Sequence, residues 1–141
     1  MKFKRFNDKI VIRIEKGEEL ISSLTNFCKE QGIKGGVINS CIGATDRVKL
    51  GFYDSENKVY KYKEFTEDYE LLTATGNITL VDNEPFPHIH VILGDENYQT
   101  YGGHLISAEI NVTCEIYLSP LNGKIERYHD EDLKLNLMKL N

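Results

Sequence analysis

Short β-branched and aromatic runs, separated by turn-forming residues, recur along this chain and constrain its fold more than any other feature. In the first run, Ile10, Ile12 and Ile14 occupy alternate positions, which places them on one face of a strand. The tail from Leu133 to Met138 alternates in the same way. Further strand-like runs span residues 35–44, 47–54, 58–65, 69–81, 88–93, 109–118 and 124–128. The pattern predicts about eight strands, and short connections favour antiparallel pairing.

One helical pattern interrupts these runs. Four apolar residues recur at helical spacing and are expected to face the core, and the pattern ends at Gln31-Gly32, since glycine is common just after a helix. Glu18 and Glu19 would lie in the first turn, where carboxylates favour the helix dipole. A second, short helix is predicted near Gly103–Ala108. The four apolar residues are Leu20, Leu24, Phe27 and Cys28.

Strands therefore outnumber helices, and the predicted fold class is α+β, with a central antiparallel β-sheet, one long helix and one short helix. Residues 54–57 predict a hairpin turn, residues 82–85 another turn, and Asn122-Gly123 a tight turn. Gly76 interrupts the run 69–81 and predicts a bend or bulge there. One or two helices leave part of such a sheet uncovered, so oligomerisation is expected.

Composition narrows the class of protein. The 141 residues are expected to form a single domain, 1–141, and the net charge of −5 argues against autonomous binding to a nucleic-acid backbone. No apolar run approaches the roughly 20 residues that span a bilayer, and no secretory leader is evident. Cys28, Cys41 and Cys114 lack zinc-ribbon or redox-pair spacing and are expected to be reduced, mostly buried thiols. These features predict a cytoplasmic protein without membrane contact.

Three of the four histidines lie within residues 85–105 and carry the only chemistry that the sequence indicates. Side chains alternate along a strand, so His88 and His90 share a face, with Cα atoms about 6.6 Å apart. His104 follows Gly102-Gly103, and a loop can return it to the same end of the sheet. Three imidazoles suit Zn²⁺ or another divalent first-row ion and leave a position open for water or substrate. Packing histidines or a metal-free proton relay are the alternatives.

Two carboxylates are candidates for a supporting or catalytic role. Glu109 and Glu115 lie six residues apart on one predicted strand face, so either could orient a metal ligand or act as a general base. The alternative is that they are ordinary surface carboxylates paired across the sheet. His129 stands beside Asp130, in an acidic stretch that predicts an exposed histidine.

Four motifs follow one another in the order Gly76-Asn77-Ile78-Thr79, Pro87-His88-Ile89-His90-Val91-Ile92-Leu93, Gly102-Gly103-His104-Leu105 and Val112-Thr113-Cys114-Glu115. Together they resemble the PPC domain (plant and prokaryote domain, also called DUF296), in its stand-alone prokaryotic form. The resemblance covers nearly the whole chain, and its most specific part is the combination of the histidine pair with Gly-Gly-His.

The resemblance implies an antiparallel α+β fold similar to that of acetolactate decarboxylase, assembled as a homotrimer. It also implies a metal site, commonly zinc, at His88, His90 and His104. Plant members carry AT-hooks with an Arg-Gly-Arg core, and this sequence contains no Arg-Gly-Arg. The favoured hypothesis is therefore a metal site that binds or transforms a small molecule. The alternatives are a DNA-associated or transcription-related oligomeric module without an AT-hook, and a structural trimer that binds a partner protein.

Overall fold

The computed structural model describes residues 1–140 and folds them into a mixed sheet of nine strands, with one helix. The predicted α+β class is confirmed, and within residues 1–140 only a single bridge, Leu80 with Glu126, is parallel. The elements are β1 (Lys2–Phe6), β2 (Lys9–Glu15), α1 (Leu20–Glu30), β3 (Gly36–Asp54), β4 (Val59–Phe65), β5 (Tyr69–Val81), β6 (Glu84–Gly94), β7 (Thr100–Pro120), β8 (Glu126–Asp130) and β9 (Leu135–Lys139).

Four strands close into a ring of hydrogen-bonded neighbours. β3 pairs with β5 and β7, and β6 pairs with the same two strands from the other side. β3 and β7 are long, at 19 and 21 residues, and coil through four register shifts where they pair. Such shifts bend strands and increase their twist, which is how a short sheet closes on itself.

The core lies between this ring, β2 and α1. Ile10, Ile12 and Ile14 are at most 1% exposed, which confirms the predicted face of β2. Helix α1 buries the four predicted apolar residues, from Leu20 to Cys28, and it packs against β6 and β7. It has eleven residues, and no helix of the described chain is long and apolar enough to cross a membrane.

The start of the helix differs from the prediction. Glu19 is the N-cap rather than a first-turn residue: its carboxylate accepts hydrogen bonds from the backbone of Ile21 and Ser22. It also accepts from the backbone N–H of Ala108, which fastens the helix to β7. The predicted helix end is confirmed, since Gly32 follows with φ +66°.

The predicted short helix at Gly103–Ala108 is wrong, because these residues belong to β7. His104 pairs with His90 of β6 on one side and with Gly51 of β3 on the other. The backbone of this segment therefore has a neighbouring strand on both sides to form hydrogen bonds with. Gly102-Gly103 serves close approach instead: a Cβ on Gly103 would lie 3.2 Å from the carbonyl oxygen of Gly51. Ladder hydrogen bonds on both sides outweigh the local helical preference.

The predicted bulge at Gly76 is also wrong. The pairing of β5 with β3 and with β6 keeps one register through Gly76, and the irregularity lies between Leu71 and Thr73. A Cβ on Gly76 would lie 2.1 Å from the carbonyl oxygen of His88. Glycine is needed there because the two backbones lie so close together.

The turns predicted at residues 54–57 and 82–85 are confirmed, whereas Asn122-Gly123 forms only a bend between β7 and β8, which do not pair with each other within residues 1–140. The hairpin joins β3 to β4 across residues 55–58, and Asp82 and Asn83 form a two-residue turn with positive φ between β5 and β6. Strands β8 and β9 form a terminal hairpin, here called the C-terminal hairpin, that joins the sheet at the edge of β5. All three cysteines are free and buried, as expected.

Candidate metal centre

The structure brings the three predicted histidines together. His88 and His90 project from one face of β6, and His104 lies opposite His90 in the β6–β7 ladder. Ring centroids are 5.2 Å apart for His88 and His90, 4.9 Å for His88 and His104, and 5.4 Å for His90 and His104. One nitrogen from each ring lies within 4.8 Å of the other two.

The strands position these rings through their glycines. Gly76 lets β5 lie against the backbone of His88, and Gly103 lets β7 lie against β3 just before His104. The ring of Tyr60, on β4, packs against His104 with centroids 5.4 Å apart. The cluster therefore rests on paired strands, which hold ligands more rigidly than loops do.

Burial keeps two of the rings neutral. Burial, assisted by the nearby Arg127 and by the other two histidines, lowers the pKa of His88 to about 4. Burial, with His90 and then Arg127, also lowers the pKa of His104. Uncharged imidazole is the form that binds metal, so these rings are ready to act as ligands at neutral pH.

The residues fit a divalent transition-metal ion. The Nδ1 atom of His104 is buried and has no hydrogen-bond partner among residues 1–140, although such an atom normally has one. Nitrogen ligands on tetrahedral zinc lie about 3.4 Å apart, so only a modest rotation of the rings would close the set. Three nitrogen donors also leave one position of a tetrahedral ion free for a further ligand.

Arg127, on β8, adjoins the cluster and was not anticipated from the sequence. Its guanidinium donates to Thr79 Oγ1 at 2.8 Å, to the carbonyl oxygen of Asn136 at 2.7 Å and to Asn77 Oδ1 at 3.1 Å. It also lies 3.2 Å from Nδ1 of His88. Because arginine only donates, His88 Nδ1 is the acceptor in this contact. Burial lowers the pKa of Arg127.

A cleft of about 290 Å³ opens beside the histidines. One side, the strand wall, comprises Tyr60, Phe86, His88 and His104 from β4, β6 and β7. The other side, the hairpin wall, belongs to the C-terminal hairpin and comprises Arg127, His129, Lys134, Leu135, Asn136 and Leu137. The histidine cluster thus faces a space that a small molecule could enter.

The model of the Plants and Prokaryotes Conserved (PCC) domain matches residues 1–122 of this chain. The chain belongs to this family. The match contains all three clustered histidines and ends before β8, so the hairpin wall of this PCC-domain protein lies outside the matched residues.

Solved structures have the same fold. A candidate DNA-binding protein from Bacteroides thetaiotaomicron is 33% identical, with a TM-score of 0.94 over 98% of this chain and 96% of that one. A metal-containing protein from Archaeoglobus fulgidus is 39% identical, with a TM-score of 0.88 over 99% of both chains. Among curated proteins, the bifunctional protein GlmU of Synechococcus sp. is 29% identical over 112 residues. That alignment covers 77% of this chain but only 16% of GlmU.

The structure does not bring the two candidate carboxylates to the PCC-domain histidines. Glu109 follows His104 by five residues of β7, about 16 Å of strand, and its carboxylate pairs with Arg47 at 3.3 Å. Glu115 lies farther along β7, pairs across the sheet with Arg13 and Ile42, and lines a separate cleft. Among the described residues, the cluster contains only histidine ligands.

His129 is exposed, as the sequence predicted, but it also lines the cleft and lies 3.2 Å from Asn136 Oδ1. Arg127 is a cleft residue that the sequence does not reveal. Its segment, 124–128, is predicted as a strand, but no neighbouring residue distinguishes an arginine that lines a cleft from one exposed to solvent. The contact depends on the pairing of β8 with β5.

Proposed function

We propose that this protein binds a divalent transition metal, zinc first among the candidates, through His88, His90 and His104, and uses the open position to bind or transform a small molecule. The observation that carries the proposal is the convergence of three imidazole nitrogens within 4.8 Å, one ring having a buried, unpartnered nitrogen. The metal content of the Archaeoglobus fulgidus relative supports it.

When bound, the metal would supply Lewis-acid chemistry, polarising a carbonyl or a water molecule. The chain's own residues provide the surroundings. Arg127 places a positive charge beside His88, Tyr60 packs against His104, and the hairpin wall reduces access of solvent. We retain Glu109 and Glu115 as proposed supporting carboxylates on one condition. The assembly or a conformational change must bring one of them to the metal.

Elemental analysis tests the proposal on protein purified without a histidine tag, followed by titration with Zn²⁺, Co²⁺ and Mn²⁺. About one equivalent per chain is expected in the native protein, and at least a 100-fold weaker affinity in His90→Ala. His129→Ala, which removes a histidine outside the cluster, is the matched control and should retain the metal. Less than about a tenth of an equivalent, without uptake on titration, would refute metal binding.

We also propose that the protein is a cytoplasmic homotrimer. Ile42 and Leu72 are 50% and 49% exposed and line one cleft on the outside of the strand ring, which is typical of a surface that a subunit covers. Three free thiols suit a reducing compartment. Light scattering should give about three times the chain mass of 16.2 kDa. If Ile42→Lys has a smaller mass while its circular dichroism is unchanged, Ile42 lies in the subunit interface. A monomeric native protein would contradict the proposed homotrimer.

A DNA-associated role is the second candidate, and the similarity to the candidate DNA-binding protein of Bacteroides thetaiotaomicron is the observation that favours it. The basic residues of the first strands are partly neutralised here, since Lys2 and Arg13 both pair with Glu15. A mobility-shift titration at about 150 mM salt decides the question, because phosphate contacts make binding strongly salt-dependent. No shift at micromolar protein would exclude autonomous binding.

A further inference from the structure

We propose that the cleft between the two walls is a receptor for a small carboxylic acid, whose carboxylate binds between the metal position and Arg127 while its hydrocarbon part lies against the hairpin wall. This inference rests on the proposed metal function and adds the chemical class of the ligand. Four observations support it: the charge of the cleft, the missing counter-ion of Arg127, the competition for one nitrogen of His88, and the apolar lining.

The cleft is lined by cationic and neutral residues. Arg127 and Lys134 both line it, together with His88, His104 and His129, and none of its ten lining residues is acidic. Asp130, in the hairpin turn, accepts hydrogen bonds from the backbone of residues 132 and 133. Glu131 pairs with Lys134 at 2.7 Å and offsets the charge of that lysine, so the unpaired cation of the cleft is Arg127. A divalent ion would make the cleft more positive still, so its electrostatics select an anion.

Arg127 is the strongest single indication. Its side chain is part-buried, and within residues 1–140 no carboxylate lies within 4 Å of it, so a guanidinium charge is desolvated against neutral groups alone. Burying a charge without a counter-ion is costly. Its contacts with Thr79, Asn77 and Asn136 fix the orientation of the group, which is the pre-organisation that a carboxylate receptor needs.

Metal binding at His88 would release an N–H group of Arg127. A neutral imidazole has one nitrogen lone pair, and here Nδ1 of His88 uses it to accept from Nη2 of Arg127. A metal ion bound to His88 needs that same lone pair, whichever nitrogen presents it. The hydrogen bond and the metal are therefore alternatives, and loading the metal leaves a cationic donor beside it. A carboxylate can satisfy the metal and this donor together.

The rest of the cleft distinguishes a carboxylic acid from a compact oxyanion. Phe86, Leu135 and Leu137 line it, and the guanidinium of Arg127 lies 5.4 Å from the centre of the Phe86 ring. Inorganic phosphate would leave this apolar surface unused, whereas a short hydrocarbon chain would cover it. The volume of about 290 Å³ is at the small end for ligand sites, which favours a small metabolite.

Calorimetric titration of the zinc-loaded protein with butyrate tests the inference, with butyramide and inorganic phosphate as probes of the same site. Saturable binding of butyrate is expected, about 10- to 100-fold tighter than either comparison compound, since each loses a charge-assisted bond or the apolar contact. The metal-free protein should bind butyrate at least tenfold more weakly. Phosphate or butyramide binding as tightly as butyrate would overturn the assignment.

Arg127→Met should weaken butyrate binding about 10- to 100-fold while retaining zinc uptake, and Arg5→Met, which removes an exposed arginine on β1, should leave both unchanged. Circular dichroism and zinc titration establish that each variant is folded. If Arg127→Met fails to fold, the comparison of butyrate with butyramide on native protein still decides the matter. Zinc uptake without butyrate binding at about 10 mM overturns this inference alone, whereas absence of zinc uptake refutes the proposed function and this inference with it.

Discussion

The two walls of the cleft are built in different ways. The strand wall rests on the β6–β7 ladder, in which His104 faces His90 and which β3 and β5 close into a ring. Among residues 1–140, the C-terminal hairpin pairs with that ring through one parallel bridge, at Leu80 and Glu126, and side chains such as Arg127 add hydrogen bonds to β5. The strand wall has the rigidity that metal ligands require, and the hairpin wall can change its position without disturbing the strand wall. The family match, which ends at residue 122, divides the chain at the same place.

Gly76→Ala should have the largest effect, because it forces the strand wall apart. The new Cβ would lie 2.1 Å from the carbonyl oxygen of His88, and this backbone atom cannot move without breaking the β5–β6 ladder. We expect the free energy of unfolding to fall by about 3 kcal/mol or more, measured by urea denaturation.

Gly35→Ala is the matched control for this variant. A Cβ on Gly35 would make an ordinary contact, 3.4 Å from the carbonyl oxygen of Gly123, so we expect a loss below about 1 kcal/mol. Equal losses in the two variants would show that the strand wall yields as easily as a loop, and the distinction between the walls would fail.

Arg127→Met should have an intermediate effect and confine it to the hairpin wall. The change removes the hydrogen bonds to Thr79, Asn77 and the Asn136 carbonyl. Hydrogen exchange should show the free energy of opening of β8 and β9 lowered by about 2 kcal/mol, with the amides of β6 and β7 nearly unchanged. Arg5→Met controls for loss of an arginine. Faster exchange of similar size in β6 and β7 would mean that the walls open together.

The same division explains what the sequence could predict. His88 and His90 could be assigned to one face because alternation is local, and the loop between β6 and β7 returns His104 to a position opposite His90. A glycine in a strand permits either a bulge or close approach, so the role of Gly76 depended on a strand that pairs with it. The strand at 103–108 likewise depended on partners on both sides.

Arg127 lies 39 residues from His88, and nothing near either residue records their contact. The metal ligands arise from a local pattern within strands, whereas the hairpin wall arises from packing between distant segments. Sequence reasoning therefore identified the three histidines and the two strands of the C-terminal hairpin, but neither the pairing of those strands nor the cleft beside the histidines.

Tyr53→Phe should have the smallest effect, and it tests whether the turn of the C-terminal hairpin opens separately from strands β8 and β9. The Tyr53 hydroxyl donates to the carbonyl oxygen of Leu133, in the turn of the C-terminal hairpin, and makes no other hydrogen bond with residues 1–140. An exposed hydrogen bond of this kind contributes about 0.5–1 kcal/mol, so faster hydrogen exchange is expected in residues 131–134 alone. Tyr62→Phe, on β4, is the control, because the Tyr62 hydroxyl makes no hydrogen bond with residues 1–140.

If Tyr53→Phe loosened β8 and β9 as much as Arg127→Met does, the hairpin wall would open as one cooperative unit, and Arg127 would have no special part in holding it. If only the turn responds, Arg127 is the main attachment of the hairpin. A ligand or metal ion that withdraws Arg127 from His88 would then change how the hairpin wall packs against the strand wall. Metal binding at the strand wall would in this way be coupled to ligand selection by the hairpin wall.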